Sequence, residues 1–391
     1  MDKPLEQTTM AGAMNVPIAR PALGAEEASA LADPLATGWI VQGPKVREFE
    51  RAFCELSRAP HALATTSCTT ALHLALSVLG VGPGDEVVVP SFTYVASANV
   101  VEQCGATTVF VDVDSSTFNM DPAALEAALS PRTRAIMVVH LFGLVADMDP
   151  IMAIARERGI PMIEDAACAV GSRLNGQHAG TFGEFGAFSF HARKVVTTGE
   201  GGMLTVSDDD RAELASIMRS HGGQISDLER HRMGSFALPE HEVVGFNYRM
   251  TDLQAALGIV QLGRLDELVG RRRELAAMYD EALSDVPGVV VPRVPDGAEH
   301  TYQSYVLRLT GEAAMRRDEV AVALQRRGIS TRQGTHAVHL LVYYRRRYDI
   351  AAEDFPRSLD ADRNSLSLPI FPAMTAEEQN YVIAGLRDLL G

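Results

Sequence analysis

Lysine is scarce in this chain. Of its 391 residues, 35 are Lys or Arg, but the only lysines are Lys3, Lys45 and Lys194. Arginine carries charge as well as lysine does, whereas only the lysine amine readily loses a proton and attacks a carbonyl. Lys194 lies in FSFHARKVVTTGEGGM, between aromatic residues and glycines. A lone loop lysine is a solvated surface charge about nine times in ten, so the neighbouring residues must decide its interpretation.

Positive charge is also in deficit. The chain has 50 acidic residues and a formal net charge of −15, which repels phosphate backbones and argues against non-specific binding of nucleic acids. No apolar run reaches the length of a membrane-spanning helix, and the N-terminal residues lack the apolar core of a signal peptide. We therefore expect a cytoplasmic protein that binds neither nucleic acid nor membrane.

Cysteines are few and far apart. Cys54, Cys68, Cys104 and Cys168 form no CxxC pair, so the sequence gives no support for a zinc site. Four scattered cysteines in a chain of this size fit a reducing compartment better than a disulfide framework. We expect no metal.

The chain is rich enough in apolar residues, at 47%, to bury a large core. Its first half alternates short apolar segments with helical patterns, which is typical of a mostly parallel sheet sandwiched by helices. The predicted strands lie within 83–92, 107–114, 134–142, 160–165, 186–190 and 202–206, and the predicted helices are 46–57, 69–79, 121–129 and 150–158.

The second half predicts a smaller C-terminal α+β domain. Residues 221–244 are typical of a long loop, and Thr251 and Gln254 have the spacing of a capping box that begins a helix running past Glu274. Strands at 304–310 and 365–369, a helix at 312–327 and a last helix capped by Thr375 follow. We divide the chain into a flexible tail (1–15), a large cofactor-binding domain (16–265) and a small domain (266–391).

A lysine at a strand end can form a Schiff base with an aldehyde cofactor such as pyridoxal phosphate. That cofactor needs a carboxylate to keep its ring nitrogen protonated. The segment IPMIEDAACAVGS offers Glu164 and Asp165 at the end of a buried strand. Alternation along the strand does not choose between them, and an acidic residue that caps the next helix is the competing interpretation.

The cofactor phosphate needs an anion site. In TTSCTTALHLAL, Ser67, Cys68 and Thr69 stand at the start of a helix, where free amides and the helix dipole favour an anion. Ser and Thr are also ordinary helix caps. The hydroxyl of Ser189 is a further candidate.

A flat cofactor also needs an aromatic face. Phe92 and Tyr94 follow the strand end of VVVPSFTY, where ligands gather in α/β sheets; core packing is an equal alternative for Phe92. A dinucleotide site is a poorer interpretation. The glycines at positions 80, 82 and 84 lack the GxGxxG spacing and precede a strand rather than a helix.

Together these segments resemble the DegT/DnrJ/StrS family of sugar aminotransferases, which are fold-type-I pyridoxal phosphate enzymes. The resemblance extends from GWIVQGPKVREFE to SLPIFPAMTAEEQ and is most specific in SCTTALHLAL, PSFTYVASAN, IEDAACAVGS, FSFHARKVVTTGEGGM and GFNYRMTDLQAALG. It implies an aminotransferase that moves an amino group from an amino acid, L-glutamate, to a nucleotide-linked keto-deoxysugar. The alternatives are an aminotransferase for a cyclitol or other carbocyclic ketone, and a non-catalytic regulatory or binding member of the fold.

The resemblance also implies residue roles. Lys194 matches the lysine that forms the Schiff base and shuttles protons, and Asp165 matches the carboxylate beside the pyridine nitrogen. Tyr94 matches the aromatic residue that stacks on the ring. Asn247 matches an asparagine that reaches the phosphate of the neighbouring subunit's cofactor, which implies a homodimer with shared active sites. The implied phosphate contacts are Cys68, Thr69 and Ser189.

This sequence departs from the family pattern at two places. Cys168 stands where many relatives carry Gln or His after EDAA, and a thiol is a weaker hydrogen-bond partner; we expect it to alter the contacts to the cofactor oxygen or the substrate preference. GTHAVHLLVYYRRRYD replaces a proline-leucine-histidine stretch, so His336 and His339 become candidate substrate residues, with Arg249 as a third. A dehydratase branch of the family carries histidine at the lysine position, and Lys194 argues against that branch.

Overall fold

The computed structural model describes residues 14–223 and 240–391. The predicted tail, apart from residues 14 and 15, lies outside the described residues, and so does most of the predicted loop 221–244. Among the described helices, none is both long and apolar enough to cross a membrane.

A seven-stranded sheet forms the centre of the large domain. Its strands are β1 (His61–Thr65), β2 (Glu86–Pro90), β3 (Thr107–Val111), β4 (Thr133–Val139), β5 (Met162–Asp165), β6 (Phe185–Ser189) and β7 (Gly202–Val206). Their spatial order is β1-β7-β6-β5-β4-β2-β3. The five strands from β6 to β3 run parallel, and β7 is antiparallel to both β6 and β1. The predicted mostly parallel sheet is therefore present.

Helices cover both faces of this sheet. They are Ala25–Ala30, Ala32–Thr37, Pro44–Ser57, Cys68–Val78, Ala96–Gln103, Pro122–Ala128, Met148–Arg158, Asp209–Arg219 and Asp252–Gly263. Strand β2 shows why its three consecutive valines are apolar. Val88 belongs to the hydrophobic cluster on one face, and Val87 and Val89 belong to the cluster on the other, so each of these three positions needs an apolar side chain.

A second core lies in the C-terminal part. It surrounds the antiparallel sheet β8-β9-β10, formed by Val289–Val290, Tyr305–Leu309 and Ser365–Leu368. The helices of this part are Leu265–Leu283, Gly311–Met315, Arg317–Arg326, Val342–Tyr348, Pro356–Asn364 and Ala376–Leu390. It also contains the 3₁₀ turns Val338–Leu340 and Ala352–Asp354, and a further 3₁₀ turn, Leu141–Gly143, follows β4. Val16 joins this core through a bridge to Ile329, so the N-terminal segment packs on the C-terminal part. The domain boundary at residue 265 stays a prediction.

Two predicted helices are each interrupted once. The helix expected from Thr251 past Glu274 is Asp252–Gly263 followed by Leu265–Leu283, and the helix expected over 312–327 breaks at Arg316. At the first break Arg264 leaves helical geometry, and its guanidinium bonds Glu27 at 2.7 Å. This long-range contact has no local sequence signal.

Short two-residue strands tie the parts of the chain together. Phe92–Thr93, which follows β2, pairs with His336–Ala337 of the C-terminal part. Arg173–Leu174 pairs with Gln177–His178 and with Ala298–Glu299. The carboxyl ends of the parallel strands therefore meet loops from the C-terminal part, and a cavity opens between them.

Candidate active site

A cavity of about 720 Å³ lies at the carboxyl ends of β5 and β6, beneath the loops of the C-terminal sheet. Most of the residues predicted for the site line it together. These are Cys68, Thr69, Tyr94, Asp165, Cys168, Ser189, Lys194 and His336. They come from five separate segments of the sequence, which the fold brings to one edge of the sheet.

Asp165 is the last residue of β5, and only 5% of it is exposed. Its Oδ2 accepts a hydrogen bond from the Ser97 hydroxyl at 2.7 Å, and its Oδ1 accepts one from the Ala167 amide at 3.1 Å. The Cys68 thiol donates to Oδ1 at 3.8 Å. Burial raises the pKa of that thiol well above its usual range, and the negative charge of Asp165 adds to the effect, so Cys68 is a neutral donor.

Glu164 faces the other side of the sheet, because successive side chains of a strand alternate. It is fully buried, and its two carboxylate oxygens together accept four hydrogen bonds of 2.6–2.8 Å. The donors are the amides of Gly180, Phe182 and Gly183 and the Nε2–H of His140. His140 Nδ1 accepts from the Ala146 amide, which assigns the proton of the neutral ring to Nε2. Only Asp165 of the acidic pair reaches the cavity.

Lys194 lies in the turn that connects β6 and β7. Its amide donates to the carbonyl of His191 at 2.8 Å, and its Nζ donates to Cys168 Sγ at 3.0 Å. Burial lowers the pKa of the Lys194 amine, but Cys168 beside it and the negative charge of Asp165 outweigh burial, so the pKa is raised. The amine is therefore held charged between a thiol and a carboxylate.

The helix Cys68–Val78 points its N-terminus into the cavity. Ser67 caps it, because its Oγ accepts from the Thr70 amide while Thr70 Oγ1 accepts from the Ser67 amide. The first-turn amides of Cys68 and Thr69 have no acceptor within the helix and are available to an anion. A Cβ on Gly202 would lie 2.3 Å from the Ser67 carbonyl carbon. Only glycine therefore allows β7 to pack against this turn.

The two aromatic candidates, Tyr94 and Phe92, have different surroundings in the structure. Tyr94 is 63% exposed and lines the cavity. Phe92 is fully buried and packs against Phe118 and Phe142, with ring centroids 5.6 and 6.4 Å apart. Phe92 is therefore a core residue, and Tyr94 alone offers an aromatic face to a ligand.

Three predicted residues do not line the cavity. Asn247 is exposed and pairs through its backbone with Ser220, whose hydroxyl accepts from the Arg249 guanidinium at 3.1 Å. His339 is fully buried, with its ring between the Ser91 hydroxyl at 2.5 Å and the carbonyl of Ala352 at 3.1 Å. These contacts occupy both ring nitrogens of His339, so its placement argues against a substrate contact.

Other residues of the site escaped the sequence analysis. Ser97 bonds Asp165 directly, but a serine inside a helix resembles an ordinary surface residue. Gln303 and Arg332 reach the cavity from the C-terminal part, and no local pattern points to them. Arg193 precedes Lys194 in the quoted motif, and this adjacency was the one available signal.

The residues of the cavity suit pyridoxal phosphate. An amine and a buried carboxylate line the same cavity, and helix amides with the Thr69 and Ser189 hydroxyls provide donors for a phosphate. Because Gly202 has no Cβ, the N-terminus of the helix Cys68–Val78 packs directly against the sheet edge. The donor set therefore fits an aldehyde cofactor that carries an anionic group.

Comparison with known proteins identifies the family. Residues 21–387 match the DegT/DnrJ/EryC1/StrS aminotransferase family. GDP-perosamine synthase of Caulobacter vibrioides is 42% identical over 377 residues, which cover 96% of this chain and 98% of the relative. The spore coat polysaccharide biosynthesis protein SpsC of Bacillus subtilis is 39% identical over 377 residues, with 96% and 97% covered.

Solved structures agree with this result. The PLP form of the putative sugar aminotransferase Spr1654 from Streptococcus pneumoniae has a TM-score of 0.90 and 30% identity, covering 96% of this chain and 98% of that one. The fold-type-I prediction is confirmed, and so is the predicted cofactor. The chain belongs to the DegT/DnrJ/EryC1/StrS family and is a pyridoxal phosphate-dependent aminotransferase.

Proposed function

We propose that this enzyme transfers an amino group from L-glutamate to a nucleotide-linked keto-deoxysugar, in amino-sugar biosynthesis. The observation that carries the proposal is the meeting of Lys194 and Asp165 in one cavity of about 720 Å³, which has room for a sugar beside the cofactor. The name of the GDP-perosamine synthase relative supports a sugar carried by a nucleotide.

We assign the cofactor contacts as follows. Lys194 binds it covalently, Asp165 holds the proton of the ring nitrogen, and Tyr94 stacks on the ring. The phosphate takes hydrogen bonds from the amides at the helix N-terminus and from nearby hydroxyls, at Cys68, Thr69 and Ser189. Cys168 lies 3.0 Å from the Lys194 amine, and we assign it to the edge of the cofactor that carries the ring oxygen.

When bound, pyridoxal phosphate supplies an aldehyde for the amino group and a protonated ring that accepts electrons from the α-carbon. Lys194 would hold the cofactor, and its amine, when free, would accept the proton of the donor α-carbon and give it back as a general acid. The Ser97 hydroxyl and the Ala167 amide donate to the Asp165 carboxylate and fix its orientation. The same residues act in reverse when the keto-sugar takes up the amino group.

We also propose a homodimer in which Asn247 of each subunit reaches the phosphate in the other subunit's site. Asn247 is exposed and does not line the cavity of its own chain. Large apolar side chains are exposed close to Asn247 in the sequence and in the N-terminal helical segment. Such exposed apolar side chains favour a surface that a second subunit covers. They are Leu35, Ile40, Val41 and Val244.

The first test is the visible absorbance of the purified enzyme before and after L-glutamate is added, beside a Lys194→Ala variant. We expect a yellow band that moves towards the ultraviolet with L-glutamate and that is absent from the variant as purified. Amination of a panel of nucleotide-linked keto-sugars, compared with free carbocyclic ketones, then tests the acceptor. Exclusive use of the carbocyclic ketones would overturn the sugar assignment, and the absence of any band after cofactor is supplied would overturn the role of Lys194.

A further inference from the structure

Two arginines in the cavity carry charges that no described acid neutralises. Arg193 and Arg332 both line it. Within residues 14–223 and 240–391, neither guanidinium makes a hydrogen bond, an ion pair or a ring contact. Most other arginines of the chain have such partners; Arg219, for example, bonds Glu50 at 2.6 Å. Within the described residues, other exposed arginines such as Arg346 also lack a side-chain partner; Arg193 and Arg332 differ from them because both line the same cavity.

The backbones of both arginines are fixed. The amide of Arg332 donates to the carbonyl of Ser367 at 3.2 Å, and the amide of Ser367 donates back at 2.6 Å, so Arg332 runs alongside β10. The carbonyl of Arg193 accepts from Gln303 Nε2 at 3.3 Å, and its amide donates to His191 Nδ1 at 3.2 Å. One arginine comes from the turn that holds Lys194 and the other from the C-terminal part, and both reach the same cavity.

The two charges act on each other. Burial lowers the pKa of Arg332, and the positive charge of Arg193 lowers it further. Like charges that face one cavity repel, and a bound anion would remove this cost. The two acids that line the cavity have other partners: Glu200 lies 3.8 Å from His191 Nε2, and Asp165 accepts from Ser97 and a backbone amide.

An aminotransferase must present two different substrates to the same lysine in turn. The side-chain carboxylate of glutamate and the diphosphate of a nucleotide-linked sugar are both anions, and each lies several bonds from the reacting carbon. Guanidinium groups bind carboxylate and phosphate oxygens in the same paired geometry. Arg193 directly precedes Lys194, and both residues line the cavity.

We infer that Arg193 and Arg332 form one anion site that is used in both half-reactions, binding the side-chain carboxylate of the amino donor and then the diphosphate of the acceptor. This inference rests on the proposed function and extends it to the residues that select the substrates. It predicts a preference for a dicarboxylic donor over one with a neutral side chain.

The test compares Arg332→Gln and Arg193→Gln with the wild-type holoenzyme. L-glutamate and L-alanine are each titrated against the cofactor absorbance, and inorganic pyrophosphate is titrated by calorimetry. We expect each variant to require about 10- to 100-fold more L-glutamate, as for loss of a charge-assisted hydrogen bond, with little change for L-alanine. Pyrophosphate affinity should fall by a similar factor.

Arg346→Gln is the matched control, because Arg346 is exposed and lies outside the cavity; it should leave all three titrations unchanged. Equal shifts for L-glutamate and L-alanine would overturn the inference, since they would report general damage. A change in only the L-glutamate arm or only the pyrophosphate arm would overturn the shared site. Failure to aminate any nucleotide-linked ketone is a separate result, which would count against the proposed acceptor while the calorimetry stays readable.

Discussion

The adjacent carboxylates of Glu164 and Asp165 have different roles because their surroundings differ. Glu164 is fully buried and accepts four hydrogen bonds, so none of its capacity remains for a ligand. Asp165 accepts two hydrogen bonds, of 2.7 and 3.1 Å, and a weaker one from a thiol, and it faces the cavity. The two carboxylates lie on opposite faces of one strand and therefore differ in role. Glu164 stabilises the fold, and Asp165 is placed to act on a ligand.

We predict that Asp165→Asn lowers the rate of the L-glutamate half-reaction by roughly 10²- to 10³-fold, the range found when a preorganised electrostatic contact is removed. The neutral amide no longer favours a protonated ring nitrogen, but its oxygen still accepts from the Ala167 amide and its NH₂ group can donate to the Ser97 hydroxyl. The thermal midpoint should therefore stay close to that of the wild type. Rapid-mixing absorbance and calorimetric unfolding measure the two quantities.

Glu164→Gln is the matched control for that experiment. Its NH₂ group would face backbone amides, which are donors themselves, so buried donors would lose their acceptor. We expect this variant to lose about 2–4 kcal/mol of the free energy of unfolding. The assignment of Asp165 would be wrong if Asp165→Asn kept near-wild-type turnover, or if the two variants lost stability and rate in the same proportion.

At the level of elements, long-range side-chain contacts fix helix ends that lack local caps. The helix Pro44–Ser57 begins after Gly43, which has no side chain to cap it. Asp252, at the start of the helix Asp252–Gly263, supplies the cap instead. It accepts from the amides of Gly43, Lys45 and Val46 at 2.8, 3.1 and 3.0 Å. The carboxylate thereby joins two helices that are separated by about half of the chain.

We predict that Asp252→Ala lowers the free energy of unfolding by about 2–4 kcal/mol, because three amides at a buried helix end lose their acceptor. Thr251→Ala removes the ordinary cap next to it, where Thr251 Oγ1 accepts from the Gln254 amide, and should cost about 1 kcal/mol. Urea unfolding of both variants measures the difference. Equal losses in the two variants would mean that the contacts of Asp252 add nothing beyond a local cap.

These elements show what a sequence pattern does and does not predict. The capping box at Thr251 was predicted, because its partner lies three residues away. The role of Asp252 was not, because its partners lie more than 200 residues away. Strand β1 was missed for a related reason. Its sequence HALAT is short and only moderately apolar, and its place at the sheet edge depends on pairing with β7.

The residues of the site also fall into those that a local motif predicts and those that only long-range contacts bring to the cavity. Lys194, Asp165 and Cys68 sit in compact motifs, and the parallel sheet brings such strand and helix ends to one edge. Arg332 reaches the cavity only through its pairing with Ser367. A contact from a second chain, as we propose for Asn247, lies beyond any single-chain pattern except a family resemblance.

At the scale of the whole molecule, two buried histidines contribute to the response to acid. Burial lowers the pKa of His178 to about 4 and the pKa of His300 to about 3. The contacts of His178 require the neutral ring, because Nε2 accepts from the Gly171 amide while Nδ1 donates to the carbonyl of Ala179. Below pH 6.5 the unfolded chain therefore binds protons that the folded chain does not, and stability falls as pH falls.

We predict that the free energy of unfolding drops steadily between pH 6.5 and about pH 4, with His178 contributing about 3 kcal/mol. A His178→Gln variant should be less stable at neutral pH but should show a correspondingly shallower loss over the same range. Urea unfolding at several pH values measures both slopes. Parallel curves for the two proteins would show that His178 titrates normally in the folded state.

The proposed dimer makes a prediction that concerns the whole assembly. If each site combines Lys194 of one subunit with Asn247 of the other, then a mixed dimer of Lys194→Ala and Asn247→Ala subunits contains one intact site and one doubly damaged site. Two nearly inactive proteins, mixed in equal amounts and allowed to exchange subunits, should then recover about one quarter of wild-type activity, since half of the dimers are mixed and each has one working site.

The control for this experiment is a mixture of Lys194→Ala with Asp165→Asn. Both residues line the cavity of the same chain, so the mixed dimer contains no site with an intact pair, and activity should stay at the level of the separate variants. Recovery in the control would mean that damaged sites are rescued by some other route. No recovery in the first mixture, with subunit exchange demonstrated by differently tagged chains, would place Asn247 outside the partner's site. The exposed Asn247 would then need a different explanation, and each chain would have to complete its own site.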